Sequence, residues 1–322
     1  MIVFFDTVRR KRSEREGGEL VKLDWETKQT LGTVPLFPFD PDVTHDPNPR
    51  GNSRGGKGIV ALDGEILVAT YHSILVFDHE LQLKRKIDNP LFVGIHEMDL
   101  DGEHLWVSST AIDLALKVDF WGSASEWWWP REIPELRERY GLEAMQVDKR
   151  ADNRLLHLDT ERSQVHHTHL NAVCVHGGAV YALLNSQGIL FRIGPSPGVI
   201  VEDKLLKGAH SPRIIDGGRL LAVCGTKSRA VLFYELANGQ LVKRVNLLAL
   251  DPVRRLYEEH PDQPFNQSIF VRGLTMIDER RMLVGISPAA LIELDWTSGE
   301  LHGFHVHSDD VGDAVHGVAV LR

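Results

Sequence analysis

The sequence predicts an all-β fold, a six-bladed β-propeller, from three observations. A unit of short apolar strands separated by Asp-Gly or Gly-Gly turns recurs along the chain, and such segments are typical of hairpins. The unit returns at intervals of about 40 residues, or at longer intervals where an insertion intervenes, as propeller blades do. The chain ends after one strand of a further copy, while three unmatched strands stand at its beginning. These features predict a ring that is closed by the two ends of the chain.

Five copies of the unit are complete, and the sixth is reduced to one strand. The copies begin at Gly58, Ile95, His169, His210, Arg272 and His316. Three N-terminal segments, 2–7, 19–25 and 29–36, supply strands that lack an inner partner. We therefore expect residues 1–322 to form a single propeller domain. A pair of β-sandwiches is the alternative. It does not explain why a single strand remains at the C-terminus while three strands at the N-terminus lack an inner partner.

Long insertions precede the first, third and fifth copies, at 37–57, 121–168 and 251–271. Each joins the outer strand of one blade to the inner strand of the next, so all three are expected over one face, around one mouth of the central channel. The last insertion predicts a helix with Asp251 as N-cap and Pro252 in its first position, and 134–140 predicts a shorter one.

Trp127, Trp128 and Trp129 lie in the second insertion, ahead of its predicted helix. Three adjacent indoles are suited to stacking on a ligand or lining a lid. Burial of a long insertion against the blades is the favoured alternative, because indoles bury large areas. The sequence leaves the role of these residues open.

Composition excludes several classes of partner. A net charge of −9 repels phosphate backbones, so we expect no nucleic acid. We find no apolar run of about 18 residues, and therefore expect no membrane span. Cys174 and Cys224 lie in apolar runs, as reduced core thiols do. A cytoplasmic protein with a small-molecule substrate is the expectation, and the oligomeric state stays open.

Four of the six inner strands begin with, or next to, a histidine: His96, His169, His210 and His316. The first residues of inner strands should converge at the mouth that the insertions surround. Neutral imidazole is the commonest nitrogen ligand of first-row metals. We therefore predict a divalent transition metal, Mn, Zn or Fe, held by at least three of these side chains.

The positions of these histidines relative to the following turn differ by one residue. His210 and His316 align with Arg272, while His96 lies one residue later and His169 one residue earlier. A shift of one residue reverses the face to which a side chain points. A metal-free polar pocket and a structural role in closing the channel therefore remain as alternatives.

Other residues near these positions are candidates for catalysis. Glu97 or a spare histidine is predicted to transfer protons, and Asn171 supplies a further oxygen. Arg213 and Arg272 are suited to holding a carboxylate or phosphate of the substrate, although pairing with a buried Asp or with channel carbonyls is equally consistent.

In architecture the chain resembles the six-bladed gluconolactonase and strictosidine synthase-like propellers. More closely, it resembles an uncharacterised bacterial propeller family through three short phrases: His169-Leu170-Asn171-Ala172-Val173, His210-Ser211-Pro212-Arg213 and Arg272-Gly273-Leu274. Gluconolactonases place Glu, Asn and Asp around calcium, from which this histidine-rich set departs. Histidine-lined channels are similar instead to those of oligogalacturonate lyase, which holds manganese, and of the lyases that open lactone antibiotics.

These observations favour a metal-dependent lyase or hydrolase that acts on a small anionic or carbohydrate-like substrate. The alternative is a non-catalytic propeller that uses the same face to bind a ligand or a partner protein. Redox chemistry at iron or copper is permitted but not favoured.

Overall fold

The computed structural model describes residues 1–9, 17–36, 55–145, 147–155, 168–194, 196–263 and 267–321. Most of the first insertion, 37–54, lies outside these ranges, as do His166 and His167. Within the described residues, neither α-helix is both long and apolar enough to pass through a bilayer.

The fold consists mainly of short strands, each bounded by turns. In chain order they are β1 (Ile2–Arg9), β2 (Gly18–Asp24), β3 (Gln29–Leu36), β4 (Gly58–Ala61), β5 (Glu65–Ala69), β6 (Ser73–Asp78), β7 (Leu83–Asp88), β8 (Ile95–Asp101), β9 (His104–Ser109), β10 (Leu114–Asp119), β11 (Ala124–Trp128), β12 (Leu170–His176), β13 (Ala179–Leu184), β14 (Ile189–Ile193), β15 (Gly198–Glu202), β16 (His210–Ile215), β17 (Leu220–Gly225), β18 (Ala230–Glu235), β19 (Leu241–Asn246), β20 (Arg272–Met276), β21 (Arg281–Ile286), β22 (Ala290–Asp295), β23 (Leu301–Val306) and β24 (Asp313–Leu321).

In the described chain these strands form six antiparallel sheets of four strands, the blades of a propeller. Blades 1 to 5 are β4–β7, β8–β11, β12–β15, β16–β19 and β20–β23, each with its first strand innermost. Blade 6 is β24 followed outwards by β1, β2 and β3. The predicted fold and its closure are confirmed, because the last strand of the chain pairs with β1 from Ile2↔Leu321 to Arg9↔Asp313.

The burial of each strand follows from its place in the blade. The middle strands β5 and β6 are almost wholly buried, since neighbouring blades cover both of their faces. The outer strands β7 and β19, with sequences LKRKID and LVKRVN, are largely exposed, and their charges protect the sheet edges from further pairing. Apolar side chains between adjacent blades form the core. Cys174 and Cys224 are buried there as free thiols.

Both helices predicted from sequence are present. Helix α1 spans Pro134–Tyr140 and helix α2 spans Asp251–Glu259. The cap of α2 differs from the prediction, because Leu250 is the N-cap and Asp251 is the first helical residue. The Asp251 carboxylate instead accepts a hydrogen bond from Arg254, one turn further along.

The second insertion is not wholly a connection. Its first part forms β11, the outer strand of blade 2. Trp128 stacks on Phe191 of blade 3 with ring centroids 5.1 Å apart, and the buried Trp129 donates its indole N–H to the carbonyl of Ile112. Trp127 is half-exposed. The indoles of Trp128 and Trp129 therefore contribute to packing at the outside of the ring.

Candidate functional site

Each blade has one polar residue at or near the start of its inner strand, and these residues lie close to one another. We call these the rim residues: Lys57, His96, His169, His210, Arg272 and His316, from blades 1 to 6 in that order. Their convergence was predicted from the repeats. The aromatic contacts among the four histidines confirm it for the imidazole rings.

Three of the imidazoles form a triangle whose corners come from alternate blades. The ring centroids of His96 and His210 are 5.1 Å apart, those of His96 and His316 are 4.9 Å apart, and those of His210 and His316 are 6.0 Å apart. The ring of His169 approaches this triangle through His96, at 5.8 Å. The even-numbered blades thus supply the triangle, and the odd-numbered blades supply Lys57, His169 and Arg272.

Bulges in the inner strands bring these side chains into one layer. Of the six inner strands described, five show a shift in register at the rim residue or within two residues of it. A bulge opposes two residues of one strand to one of its partner and re-aims the side chains. It therefore absorbs the one-residue differences in spacing that the sequence shows. Ser211 and Gly273, at two of these bulges, have left-handed backbone with φ of 52° and 69°.

Hydrogen bonds fix the tautomer of His210. Its Nδ1 lies 2.9 Å from Thr226 Oγ1, and that hydroxyl donates its single hydrogen to the carbonyl of Val271, at 2.8 Å. Nδ1 must therefore carry a hydrogen and donate it to Thr226. The lone pair then lies on Nε2, a buried atom with no hydrogen-bond partner among the described residues.

Two of the three imidazoles of the triangle, those of His96 and His210, are neutral at ordinary pH. Burial lowers the pKa of both His96 and His210 well below the usual value, and the positive charge of Arg272 lowers the pKa of each further. Neutral imidazole is the form that binds metals. The buried side chains thus have the protonation state that a metal ligand requires.

Two of the rim residues, Lys57 and Arg272, are cations. Arg272 was predicted, and its guanidinium lies 4.2 Å from the centroid of the Phe270 ring. Phe270 in turn contacts the His210 ring, with centroids 5.8 Å apart. Lys57, only 4% exposed, was not predicted as a site residue. Phe270 and Thr226 were missed entirely.

Glu97, which follows His96 in β8, is held across the channel. Its Oε1 accepts hydrogen bonds from both the N–H and the hydroxyl of Ser211, each at 2.8 Å. The same hydroxyl accepts the N–H of Gly273, at 3.0 Å. Blades 2, 4 and 5 are thereby joined. Burial raises the pKa of Glu97 to about 7.

Arg213 and Asn171 occupy separate places near this carboxylate. Arg213 lines a small cavity between the inner strands, together with Glu97, Ser211 and His316. The cavity volume swept by the centre of a water molecule is about 10 Å³, which is room for about one water. Asn171 is fully buried and donates its amide N–H to the carbonyl of Ala209, at 2.6 Å. It thus ties blade 3 to the start of blade 4.

A further buried carboxylate, that of Asp6, lies where the ring closes. It is fully buried and accepts the N–H of Gly317 at 2.8 Å and that of Gly58 at 3.1 Å. Burial raises its pKa to about 7. At Gly317 a Cβ atom would lie 2.7 Å from the Asp6 carboxylate, so only glycine allows this contact. Asp6 is the single acidic residue in the run IVFFDTV, and this was the feature of the sequence from which a buried carboxylate could have been predicted.

The described residues do not hold a ready-made metal centre. Within them, no group of three or more His, Cys, Asp or Glu side chains is arranged so that it could hold a metal ion. The roles of His96, His169, His210 and His316 as metal ligands, and of Glu97, Asn171, Arg213 and Arg272 in catalysis, therefore stay predictions.

Comparison with known proteins supports the fold. No family model matches the sequence, and no curated protein matches it either. A protein of unknown function from Bacteroides caccae matches with a TM-score of 0.62 at 13% identity, covering 98% of this chain and 97% of that one.

Two further structures match over most of the chain. A chain of a nidogen/laminin complex matches with a TM-score of 0.55 at 10% identity, covering 98% of this chain and 97% of its own. The Pan2 WD40 domain of Neurospora crassa matches with a TM-score of 0.51 at 8% identity, covering 96% and 83%. At these identities the chain shares with all three a propeller fold and nothing more specific.

Proposed function

We propose that this propeller is a metal-dependent enzyme of the lyase or hydrolase class. It acts on a small anionic or carbohydrate-like substrate at the mouth formed by the rim residues. The observation that carries the proposal is the triangle of His96, His210 and His316, in which the buried Nε2 of His210 presents a lone pair with its tautomer fixed by Thr226.

The spacing of the triangle suits a shared ion. With metal–nitrogen bonds of about 2.0–2.1 Å, imidazoles around one tetrahedral ion have ring centroids about 5 Å apart. The observed separations are 4.9, 5.1 and 6.0 Å. The donor atoms are not arranged around a common point, so binding requires the rings of His96 and His316 to turn towards His210, which Thr226 holds. Rotation about χ2 of histidine is a broad, low-cost motion.

A divalent ion such as Mn, Zn or Fe would supply Lewis-acid chemistry, polarising a carbonyl or lowering the pKa of a bound water. The residues of the chain supply the rest. Thr226 orients His210, as a residue behind a metal ligand does. Glu97, whose Oε1 is fixed by Ser211, keeps its Oε2 for proton transfer with a group or water in the small cavity.

A non-catalytic binding propeller is the second candidate. It is favoured by the hydrogen bonds that Glu97 and Asn171 make with other parts of the channel, because a catalytic group is usually less fully engaged. Such a protein would bind its ligand without a metal and would leave it unchanged.

The test is a calorimetric titration of chelator-treated protein with Mn²⁺, Zn²⁺ and, without oxygen, Fe²⁺. We expect about one ion per chain for at least one metal, and no saturable binding by His210→Ala. The control is His302→Ala, which removes an exposed imidazole from the outer strand β23. Absence of saturable binding by the wild-type protein, or equal binding by His210→Ala, would contradict the proposal.

A further inference from the structure

The tautomer of His210 depends on a backbone carbonyl that lies in the third insertion. Thr226 Oγ1 donates its hydrogen to the carbonyl of Val271, at 2.8 Å, and therefore accepts the hydrogen on Nδ1 of His210. Val271 ends a segment, 267–271, that leads into the inner strand of blade 5 and that we call the strap. The position of the strap therefore bears on which ring nitrogen of His210 keeps its lone pair.

Side chains tie the strap to blade 4 at two further points. The side-chain amide of Gln267 donates to the carbonyl of Thr226, at 2.9 Å. The N–H of Ser268 donates to Oδ1 of Asp262, at 2.9 Å, and the other oxygen of that carboxylate pairs with Arg229. Thr226 and Arg229 belong to one turn, between β17 and β18. The strap and this turn are thus held together around the Thr226 hydroxyl.

The strap is also bound to blade 5, and one of its side chains borders the rim. The hydroxyl of Ser287 donates to the carbonyl of Ser268, at 3.0 Å, and accepts the N–H of Phe270, at 2.9 Å. The Phe270 ring lies 5.8 Å from that of His210 and 4.2 Å from the guanidinium of Arg272. A ligand in contact with these rim residues would therefore also contact the strap.

Loss of the Val271 carbonyl would change what the Thr226 hydroxyl can do. A hydroxyl both donates and accepts, so it can pair with either tautomer of an imidazole. If it donates to Nδ1 of His210, the hydrogen of the neutral ring lies on Nε2. That buried atom then has no lone pair for a metal, because an imidazole nitrogen binds a metal only where it carries no hydrogen.

We propose that the strap, held by Asp262 and Gln267, sets the tautomer of His210 and thereby regulates metal binding by the triangle. Both are positioning residues, since they act through Thr226. The inference rests on the proposed function for its consequence, metal binding, whereas the tautomer can be measured without a metal. A ligand that displaces the strap would weaken metal binding, and by linkage the metal would hold the strap in place.

The experiment is nitrogen NMR of chelator-treated full-length protein that contains isotopically labelled histidine. A ring nitrogen without a hydrogen resonates far downfield of one that carries it, and His210→Ala assigns the signals. We expect Nε2 of His210 to lack a hydrogen in wild type. In the double variant Asp262→Ala, Gln267→Ala its signal should move about halfway to the protonated position, because Thr226 then pairs with either tautomer. With about half of the molecules competent, metal affinity should fall about twofold.

Controls separate the strap from the rest of the insertion. Changing Asp262 to Asn instead of Ala keeps an oxygen that accepts the N–H of Ser268, so the signal should return towards its wild-type position. Asp251→Ala removes an exposed ion pair with Arg254 from the same insertion and should have no effect. Faster hydrogen exchange of the Phe270 amide reports that the strap has moved. If the double variant does not fold, Asp262→Ala alone gives the same test, because that side chain is half-exposed.

Three outcomes would overturn the proposal. In the first, Nε2 of His210 carries the hydrogen in wild type. In the second, the Phe270 amide exchanges faster but the His210 signal does not move, which would leave the carbonyl of Gly208, a second group that acts on this ring, to set the tautomer. In the third, exchange is unchanged, so that Asp262 and Gln267 do not hold the strap.

The proposed function can fail separately from this inference. If the His210 signal moves as expected but the wild-type protein binds no divalent ion, the strap sets the tautomer of an imidazole that is not a metal ligand. The metal-dependent function would then be wrong, and the control of His210 by the strap would stand.

Discussion

The even-numbered and odd-numbered blades differ both in how they are connected and in what they place at the rim. Short links, 89–94, 203–209 and 307–312, lead into the inner strands of blades 2, 4 and 6. The corresponding links of blades 1, 3 and 5 are 37–57, 129–169 and 247–271. The short links end at the histidines of the triangle, and the long ones end at Lys57, His169 and Arg272.

This alternation separates two tasks that a metal-dependent site has to combine. Ligands of a metal need fixed positions on rigid elements, and a short link between strands gives a side chain little freedom. Recognition of a substrate gains from longer loops that can vary in shape. Under the proposed function, the even blades would hold the ion and the odd blades would select the substrate.

The largest effects are expected when histidines of the even-numbered and of the odd-numbered blades are removed in turn. Replacing His96, His210 or His316 by Ala should weaken the binding of the divalent ion by at least about a hundredfold, because loss of a ligand exceeds the effect of losing a residue behind it. His169→Ala should change it by less than about tenfold. Calorimetry on the four variants checks this. An equal loss in all four would assign His169 to the metal and end the distinction between the two sets.

The sequence was sufficient to predict the fold and its closure, because short strands and turns are encoded locally. The three N-terminal strands that lacked an inner partner are completed by β24, which pairs with β1. The start of that strand was placed at His316 and lies instead at Asp313. The histidines could be located since they begin repeats.

What the sequence did not show depends on contacts between distant segments. The bulges at Ser211 and Gly273 follow from the approach of blades 2, 4 and 5 around Glu97, and such an approach leaves no local pattern. Asp6 was hidden for the same reason, because its two partners lie 52 and 311 residues away. Lys57 lacked a histidine's obvious chemistry, and its burial could only be seen in the structure.

Asp6 joins the two sets of blades, since it binds Gly317 of blade 6 and Gly58 of blade 1. Its pKa is raised from 3.8 to about 7, so the folded protein holds this proton more tightly than the unfolded chain. The resulting stability is fully present below about pH 4 and is lost as the pH rises towards 7.

Asp6→Asn removes that proton equilibrium. Between about pH 5 and pH 7 the free energy of unfolding of wild type should therefore fall by about 2 kcal/mol more than that of the variant. Urea denaturation at the two pH values measures the difference. Asp63→Asn, at an exposed turn of blade 1, should behave as wild type. Parallel pH dependence in wild type and Asp6→Asn would show that the carboxylate is ionised throughout.

Thr226 tests whether the even blades owe their fixed geometry to a hydrogen bond. Thr226→Val keeps the shape of the side chain but no longer accepts the Nδ1–H of His210. Loss of a residue that orients a metal ligand costs about tenfold or more in metal affinity, and we expect about tenfold here. Thr226→Ser should restore the affinity. If Thr226→Val binds the ion as wild type does, the tautomer of His210 is set by something else.

Phe270 gives a smaller test on the odd blades, because its closest charged neighbour is Arg272 of blade 5. Its ring supports the guanidinium of Arg272 at 4.2 Å, a contact worth about 0.5–1 kcal/mol at a partly exposed position. Phe270→Leu keeps an apolar side chain without the aromatic face. It should weaken the binding of phosphate or malonate, probes of the anionic substrate that Arg272 is predicted to hold, by about two- to fivefold. Metal affinity should stay unchanged, although the ring also touches His210, since the Thr226 hydrogen bond holds that imidazole independently. A larger loss of metal binding than of anion binding in this variant would mean that Phe270 supports the triangle. The separation of metal binding from anion binding between alternate blades would then not include the aromatic residues around the rim.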